Sequence, residues 1–405
     1  PRMRILVTDG NTRAALAITR SLGRAGHDVL VGANTLRSLA GSSRHCRARV
    51  CYPDPDRYGP SFVDFIGDYI AHEAVDVLLP VTDITLLTIG ANRARIPAHC
   101  AMPFPDLDTV KTVADKAAMM ALADRLGVDI PRSVTVAAAT DSAATEHGLS
   151  FPLVIKPFKS RVATKTDWIY TAVTYAHDAA DLQQLLGGLD PRIFPVLLQE
   201  KIVGPGMGVC ICAHRGTVLA AFAHQRLREK PPSGGVSVLR ESVALDPLAF
   251  EFAARMLDEL NWHGVAMVEF KQDLRDGRPK LMEINGRFWG SLQLAIDAGV
   301  DFPRILVDSL SQPAAQPLVE YRTGVRTRWL WGDIDALMLR LFRTAAQLDL
   351  PPYALSKPRY LADFMTSFVD PATRLEVERL NDPKPAVYEM LEWLGRVLKP
   401  VLPSA

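Results

Sequence analysis

The sequence contains few cysteines. There are five among 405 residues, an odd number, and no Cys-x-x-Cys pair occurs. A chain of this size with so few thiols is not held together by a disulfide framework, and free buried thiols are the commoner outcome. One alternative stays open, since His45, Cys46, Cys51, His99 and Cys100 are residue types that bind zinc.

The sequence also lacks an excess of charge of one sign. Its 46 basic and 45 acidic residues give a net charge of +1, so there is no bulk electrostatic reason to bind nucleic acid or an anionic membrane. No stretch approaches the roughly 18 to 20 apolar residues of a membrane span, and the first residues lack the apolar core of a signal peptide. We therefore expect a soluble, cytoplasmic protein with no nucleic-acid partner and no membrane span.

The first third of the chain alternates strands and helices. Buried strands are predicted at residues 3–7, 28–31 and 75–81, with amphipathic helices between them. This order predicts a Rossmann-like α/β domain with a parallel sheet over residues 1–105. The turn after the first strand lacks Gly-x-Gly-x-x-Gly, which excludes an NAD site there. Asp83 follows the third strand and either binds a ligand or caps the next helix.

The middle of the chain, residues 106–312, follows an α+β pattern. Asp115 is predicted to cap a helix, and Asp246-Pro247 to begin another. Between and after these helices the chain alternates strands and hairpins. The predicted strands cover residues 153–156, 170–175, 196–200, 209–213, 217–225, 264–273 and 279–285.

Residues 313–405 are predicted to form a helical C-terminal extension, with helices over 328–341 and 386–398. Trp329 and Trp331 lie two positions apart, so on a helix their side chains point in nearly opposite directions. We expect one of them to pack on the main body of the protein and the other to meet the tail. The sequence does not indicate what the extension does.

Acidic and amide side chains on two successive strands carry the strongest chemical signal. Glu269 lies on the first strand, and Glu283, Asn285 and Arg287 follow on and just after the second. Strand residues two apart share a face, so the last three point the same way, and a short hairpin brings Glu269 beside them. Oxygen ligands of this kind suit Mg²⁺ shared with phosphates, and an arginine binds the anion. The alternative is a polar sheet face with cross-strand pairs.

Basic residues upstream favour an anion-binding site. Lys156 ends an apolar strand, and Lys116 lies in the first turn of a helix, where a cation opposes the helix dipole. Taken singly, each is better explained as a solvated surface amine. Arg226 and Arg228 belong to a basic stretch before a proline- and glycine-rich loop, and a charge run of this kind is often a solvated face.

A further strand end offers a nucleotide contact. Gln199, Glu200, Lys201 and Ile202 close an apolar strand before a glycine-rich segment. Backbone groups at such a strand end can bind an adenine edge, and an acid there can accept ribose hydroxyls.

Taken in order, these motifs resemble the ATP-grasp superfamily, which includes biotin carboxylase and the carbamoyl phosphate synthetase subdomains. The resemblance covers about residues 3–310. It implies a two-lobed ATP-grasp fold in which Lys116 and Lys156 contact the ATP phosphates. It further implies that the adenine pocket is lined by the segment from Gln199 to Ile202, and that two Mg²⁺ ions, or Mn²⁺, are held by three residues, namely Glu269, Glu283 and Asn285.

The resemblance gives the arginines catalytic roles. It implies that Arg287 neutralises the acyl phosphate or the transferring phosphoryl group, and that Arg226 and Arg228 contact phosphate or substrate. One departure is the stretch Phe158 to Lys165, which has no glycine, whereas the family usually has a glycine- and serine-rich lid at this place.

The expected function is an ATP-dependent carboxylate–amine ligase that activates a carboxylate as an acyl phosphate and joins it to an amine. The small lobe, about residues 130–203, is expected to close over ATP. Two alternatives stay open, a bicarbonate- or carbamate-type ATP-grasp reaction and a non-catalytic ATP-binding regulatory module. The sequence does not name the two small-molecule substrates, and a homodimer is the working expectation for the assembly.

Overall fold

The structure is a computed structural model. It describes residues 2–141, 148–158, 161–163, 168–171, 173–232, 234–311, 316–351 and 353–398. Within these ranges no helix is both long and apolar enough to cross a bilayer.

The N-terminal part contains a parallel sheet of four strands in the order β3-β2-β1-β4. Its central strands, β1 and β2, are buried on both faces, as parallel strands covered by helices must be. The predicted three-stranded sheet is therefore confirmed and extended by a short edge strand. The elements are β1 Arg4–Val7, α1 Arg13–Arg24, β2 Asp28–Ala33, β3 Ala48–Cys51, α2 Gly59–Glu73, β4 Val77–Leu79 and α3 Asp83–Ala91.

Two helices, α4 (Leu107–Ala114) and α5 (Lys116–Arg125), lead out of this sheet. Asp115 lies between them and caps α5 as predicted, because its carboxylate accepts hydrogen bonds from the amides of Ala117 and Ala118 at 2.9 and 3.0 Å.

A small antiparallel sheet follows, with strand order β5-β10-β6-β9. Its strands are β5 Ser133–Val136, β6 Leu153–Pro157, β9 Thr174–Ala176 and β10 Val196–Glu200, with helix α6 Ala179–Gly187 packed on it. A separate hairpin consists of β7 Arg161–Ala163 and β8 Trp168–Tyr170. The strand predicted over residues 170–175 is wrong, since the chain there leaves β8 and enters β9.

The largest sheet has seven strands, in the order β15-β14-β11-β12-β13-β16-β17. All neighbours are antiparallel except the last pair. Its elements are β11 Gly206–His214, β12 Thr217–Lys230, β13 Val236–Val243, α7 Pro247–Glu259, β14 Gly264–Gln272, β15 Pro279–Asn285, α8 Leu292–Ala298, α9 Phe302–Asp308, β16 Arg326–Arg328 and β17 Thr373–Leu375. Asp246 caps α7, and Pro247 is its first residue, as predicted.

The C-terminal segment, residues 316–351 and 353–398, is not purely helical. Besides α10 (Leu330–Phe342), α11 (Lys357–Thr366) and α12 (Lys384–Leu398), it supplies β16 and β17 to the large sheet. Trp331 stacks on Trp393 of α12 with ring centroids 4.6 Å apart, whereas Trp329 lies under Arg13 of α1. The two tryptophans thus contact the tail and the main body, as predicted.

Candidate active site

Two carboxylates lie side by side on the edge pair of the large sheet. Strands β14 and β15 pair so that Glu269 is directly opposite Glu283, and Met267 is opposite Asn285. The Asn285 amide nitrogen donates to an oxygen of each carboxylate, both at 3.1 Å. The three predicted metal ligands therefore converge, because strand alternation and a short hairpin place them on one face.

Arg226 of β12 reaches this carboxylate pair. Its guanidinium forms an ion pair with Glu269 and also donates to Glu229 at 3.0 Å. Burial raises the pKa of Glu269 to about 7, with Glu283 adding to the shift and Arg226 opposing it. Burial thus disfavours ionisation of this carboxyl group, and a bound cation would favour it.

Arg287 lies just beyond the end of β15 and is fixed from three sides. Its Nε donates to Asp83 at 2.9 Å, and its terminal nitrogens donate to Asn285 Oδ1 at 3.1 Å and to the Phe288 carbonyl at 3.0 Å. Asp83 therefore orients Arg287, while Thr82 is the N-cap of α3. Between Asn285 and Arg287 only glycine fits, since a Cβ at Gly286 would lie 2.6 Å from the Trp262 ring.

Lys156 faces the acidic pair from the small sheet. Its side chain is 9 % exposed, and its ammonium group donates to Gln199 Oε1 at 2.6 Å. Burial lowers the pKa of Lys156 to about 8; Glu283 opposes this shift, and Lys116 and Lys271 add to it. A buried lysine surrounded by other lysines is well suited to an anion of high charge, such as a phosphate chain.

The segment from Glu200 to Ile202 connects the small sheet to the large one. Glu200 is buried and accepts from Arg132, Arg275 and the Ser150 amide, at 3.0 to 3.1 Å. Burial acts to raise the pKa of Glu200, but these partners lower the pKa by more than burial raises it, so the net shift is downward. These three donors leave acceptor capacity on the carboxylate. The predicted contact of Glu200 with ribose hydroxyls therefore stays a prediction.

Arg228 is placed outside this site. A register shift in β12 between Arg226 and Arg228 breaks the strand alternation, so the two side chains face different neighbours. Arg228 donates to both oxygens of Asp333 at 2.9 and 2.6 Å, and also to Asp363 and Ser367. The catalytic role predicted for Arg228 is corrected, because its donors are used in a buried structural cluster.

One cavity of about 540 Å³ joins the other groups. Lys116 does not line it, although its charge acts on Lys156. The predicted residues that line it come from both sheets and from the end of β15, namely Lys156, Gln199, Glu200, Lys201, Ile202, Arg226, Glu269, Glu283, Asn285 and Arg287.

Three basic lining residues were not predicted, namely Arg13, His224 and Lys271. Lys271 follows Glu269 by two positions on β14, so the two side chains share a face of the strand. Strand alternation could therefore have predicted Lys271 from the sequence. Arg13 is a cation in the first turn of α1, the same unfavourable position that drew attention to Lys116. His224 is buried, and no sequence pattern indicated that it lines the cavity.

The carboxylate pair fits a divalent cation that also binds phosphate. Among the described residues no group of three or more His, Cys, Asp or Glu side chains converges on a metal position, so the zinc alternative has no support there. Glu269, Glu283 and Asn285 offer two carboxylates and one amide, and phosphate oxygens would have to complete the coordination. The Asn285 amide nitrogen and the Arg226 guanidinium contact the carboxylate oxygens, which are the atoms that a bound cation would contact.

The stretch predicted as a glycine-free lid is described only in part. Arg161–Ala163 is strand β7, whereas residues 159, 160, 164 and 165 lie outside the described residues.

Part of the chain matches a known protein family. Residues 192–332 match the family model described as ATP-grasp in the biosynthetic pathway with Ter operon. No curated protein sequence matches the chain.

Solved structures resemble most of the chain. The L-amino acid ligase from Bacillus licheniformis has a TM-score of 0.61 at 17 % identity, covering 80 % of this chain and 79 % of that one. The biotin carboxylase domain of 2-oxoglutarate carboxylase from Hydrogenobacter thermophilus, in complex with MgADP, ADP and bicarbonate, gives 0.62 at 12 %, covering 80 % and 74 %. N5-carboxyaminoimidazole synthetase from Staphylococcus aureus complexed with ADP gives 0.60 at 13 %, covering 79 % and 80 %.

At such low identity these likenesses establish the fold, and the family match covers the strands that carry Arg226, Glu269, Glu283 and Asn285. The chain therefore has an ATP-grasp fold, and residues 192–332 match an ATP-grasp family model.

Proposed function

We propose that the protein is an ATP-dependent ligase that activates a carboxylate as an acyl phosphate and couples it to an amine, releasing ADP and phosphate. The observation that carries this proposal is the direct pairing of Glu269 with Glu283, bridged by Asn285, in the cavity that Lys156 also lines. Acid side chains on one sheet and a buried lysine on another are the complementary halves of a metal–triphosphate site.

The nucleotide is assigned to the part of this cavity between the two sheets. Lys156, supported by the charge of Lys116, would contact the phosphates, and the backbone from Glu200 to Ile202 would border the adenine. Glu269, Glu283 and Asn285 would hold Mg²⁺, which when bound neutralises phosphate charge and orients the transferring group. We propose two Mg²⁺ ions because the ATP-grasp family uses two.

The proposed chemistry needs positioning and charge rather than a nucleophilic side chain. An oxygen of the substrate carboxylate attacks the γ-phosphorus, and the bond to the ADP oxygen breaks. The amine nitrogen then attacks the acyl carbon, the C–O bond to phosphate breaks, and the amine loses a proton. Arg287 and Arg226 lie beside the acidic pair, where developing negative charge requires a cation.

The small lobe, residues 130–203, would close over the nucleotide, and residues 106–312 would form the complete ATP-grasp unit. The small sheet has a hydrophobic core of its own, formed by residues of β5, β6, β9, β10 and α6. A lobe with a separate core can move as a rigid body and exclude water from an acyl phosphate, which hydrolyses easily.

The proposal is tested by measuring ADP release with pooled carboxylates and amines, in the wild type and in Glu283→Gln. We expect the substitution to lower turnover by at least about 100-fold, because it removes a ligand of the metal ion that neutralises the phosphate charge. Glu251→Gln, on the exposed surface of α7, is the matched control and should leave turnover unchanged.

Three outcomes would contradict the proposal in different ways. Unchanged turnover in Glu283→Gln would remove the metal assignment. ADP release that requires bicarbonate and not an amine would favour the carboxylation alternative. Tight ATP binding without turnover under any substrate pool would favour a regulatory module.

A further inference from the structure

The active-site cavity has an end that the proposed ATP reaction does not use. Arg13, the first residue of α1, lines it together with His224 and with Trp289, Gly290 and Ser291, which follow Arg287 along the chain. At this end of the cavity, the N-terminal domain therefore lies next to the proposed site of phosphoryl transfer.

Arg13 is held in place by the C-terminal segment. Its guanidinium carbon lies 3.6 Å from the centroid of the Trp329 ring, and its Nε lies 3.1 Å from a carboxylate oxygen of Glu376. Glu389 accepts from Trp329 Nε1 at 2.8 Å and so fixes the ring. The Arg13 side chain is only 12 % exposed, and stacking of this kind orients a guanidinium without using its terminal nitrogens.

Gly290 closes the third side of this arginine. A Cβ at that position would lie 3.3 Å from Arg13 Nη2, which is tighter than ordinary contact. The guanidinium is thus confined by Trp329, Glu376 and Gly290, and the remaining direction faces the cavity.

The terminal nitrogens of Arg13 have no hydrogen-bond partner in the part of the chain that the structure describes. The only ion pair of this side chain there is with Glu376, which is shared with Arg240. Arg20, two turns further along the same face of α1, instead donates to Asp382 and to three backbone carbonyls. Unlike Arg20, Arg13 therefore has terminal donors left for a ligand.

Two further ring nitrogens at this end lack partners. Trp289 Nε1, a donor, and His224 Nδ1 are buried without a hydrogen-bond partner in the described ranges, while His224 Nε2 lies 3.1 Å from Ser291 Oγ. Burial lowers the pKa of His224 to about 3, with Arg226 and Arg240 adding to the shift, so the ring is neutral and has one N–H, on Nδ1 or on Nε2. A buried polar nitrogen without a partner is costly, and a polar ligand would remove that cost.

We infer that Arg13 binds a second carboxylate, one that is not phosphorylated, on one of the two substrates. This inference rests on the proposed ligase function and narrows its substrate class. The planar fork of a guanidinium matches a carboxylate in two parallel hydrogen bonds. The carboxylate belongs either to an α-amino acid that supplies the amine or to a dicarboxylic acid that is activated. The C-terminal segment then acts as the support that aims Arg13.

The test compares acids with their carboxylate-blocked analogues. One arm contains α-amino acids and their amides as amine donors, and the other contains short dicarboxylic acids and their monoesters. ADP release is measured for the wild type, Arg13→Met and Arg13→Lys, with Arg24→Met, an exposed arginine of the same helix, as the matched control.

In the wild type, blocking the second carboxylate in one arm should lower kcat/KM by at least about 10-fold. In Arg13→Met the acid and its blocked analogue should become equivalent, while KM for ATP changes by less than about two-fold. Arg13→Lys keeps the charge without the fork and should fall between. Which arm responds identifies the source of the carboxylate.

The inference is overturned if the preference for the acid persists in Arg13→Met, or if no compound with a second carboxylate is preferred over its blocked analogue. Calorimetry with enzyme loaded with ADP and Mg²⁺ measures binding of the same compounds without turnover. Failure of the ligase proposal itself would appear differently, as ADP release that Glu283→Gln does not change.

Discussion

The small lobe and the C-terminal segment both adjoin the large sheet, but they are attached to it in opposite ways. The small lobe has its own hydrophobic core, whose buried members all come from residues 136–198. The C-terminal segment contributes Val377 to the core that it shares with β1 and the large sheet. One part is a separate body at the edge of the cavity, and the other is built into the protein.

Buried ion pairs account for the fixed attachment of the C-terminal segment. Asp333 binds Arg228 and Arg328 with all three side chains at most 2 % exposed, and Asp382 binds Arg20 at 2.8 Å with both at most 3 % exposed. Around the small lobe, Glu200 and Arg275 form a pair whose arginine is 58 % exposed, and Lys201 and Asp349 form one that is partly exposed.

The difference teaches which part can move. An exposed pair contributes little and re-forms easily, whereas a buried charge left without its partner is costly. We therefore propose that the small lobe opens and closes over ATP, while the C-terminal segment holds Trp329 and Glu376 against Arg13 at a constant position.

The largest expected effect is on the C-terminal attachment. Asp333→Asn leaves Arg328 buried without a counter-charge and Arg228 with Asp363 alone, so the free energy of unfolding should fall by about 3 to 5 kcal/mol. Urea denaturation measures this change. Asp308→Asn, which removes an exposed pair with Arg304, is the control and should cost less than about 1 kcal/mol. Equal losses would contradict a fixed C-terminal segment.

The next effect concerns the independence of the small lobe. Leu198→Ala removes a fully buried side chain from the lobe core and should cost about 2 to 5 kcal/mol, felt mainly within that lobe. Hydrogen exchange should quicken in β6 and β10, while β11 and β14 keep their protection. Quickening spread evenly over both sheets would show that the lobe is not a separate unit.

The lobe also carries a pH-dependent contact. Because burial lowers the pKa of Lys156 to about 8, its amine is mostly protonated at pH 7 and loses its charge above pH 8. A bound phosphate chain favours the charged form and raises that pKa, so ADP binding at pH 8.5 should take up protons and weaken as the pH rises.

Calorimetry in buffers of different ionisation enthalpy detects this proton uptake. Lys156→Arg keeps its charge throughout and should lose the dependence. Proton release on ADP binding to the wild type would contradict the placement of Lys156 at the phosphates.

The smallest effect lies where the two regions touch. Lys201 follows the lobe strand β10, and Asp349 lies in the C-terminal segment; their pair at 2.6 Å is only partly buried. Lys201→Met or Asp349→Asn should change the free energy of unfolding by less than about 1 kcal/mol. A double-mutant cycle measures the coupling. A coupling energy well above that value would mean that the C-terminal segment restrains the lobe.

The convergence of the three proposed metal ligands could be predicted from the sequence because its geometry is local. A short hairpin and strand alternation suffice to place Glu269, Glu283 and Asn285 together. The same alternation fails for Arg228, since the register shift in β12 turns this side chain to a different neighbour from that of Arg226. Nothing in the residue types announces such a shift.

The role of the C-terminal segment could not be predicted for a different reason. Strands β16 and β17 are three residues long and mostly polar, too short for a period-two pattern to emerge. The contacts of Arg13 with Trp329 and Glu376 join opposite ends of the chain, and no local pattern specifies such contacts. The parallel sheet of the N-terminal domain, by contrast, could be predicted, because buried strands alternate with amphipathic helices along the sequence.

The most direct test of the account is Mn²⁺ binding measured by electron paramagnetic resonance, with and without ADP, in the wild type and in Glu283→Gln. We predict that ADP brings Mn²⁺ to the wild-type protein and that Glu283→Gln weakens this binding by at least about 10-fold. Equal Mn²⁺ binding by both proteins in the presence of ADP would contradict the assignment of Glu269, Glu283 and Asn285 as the metal site.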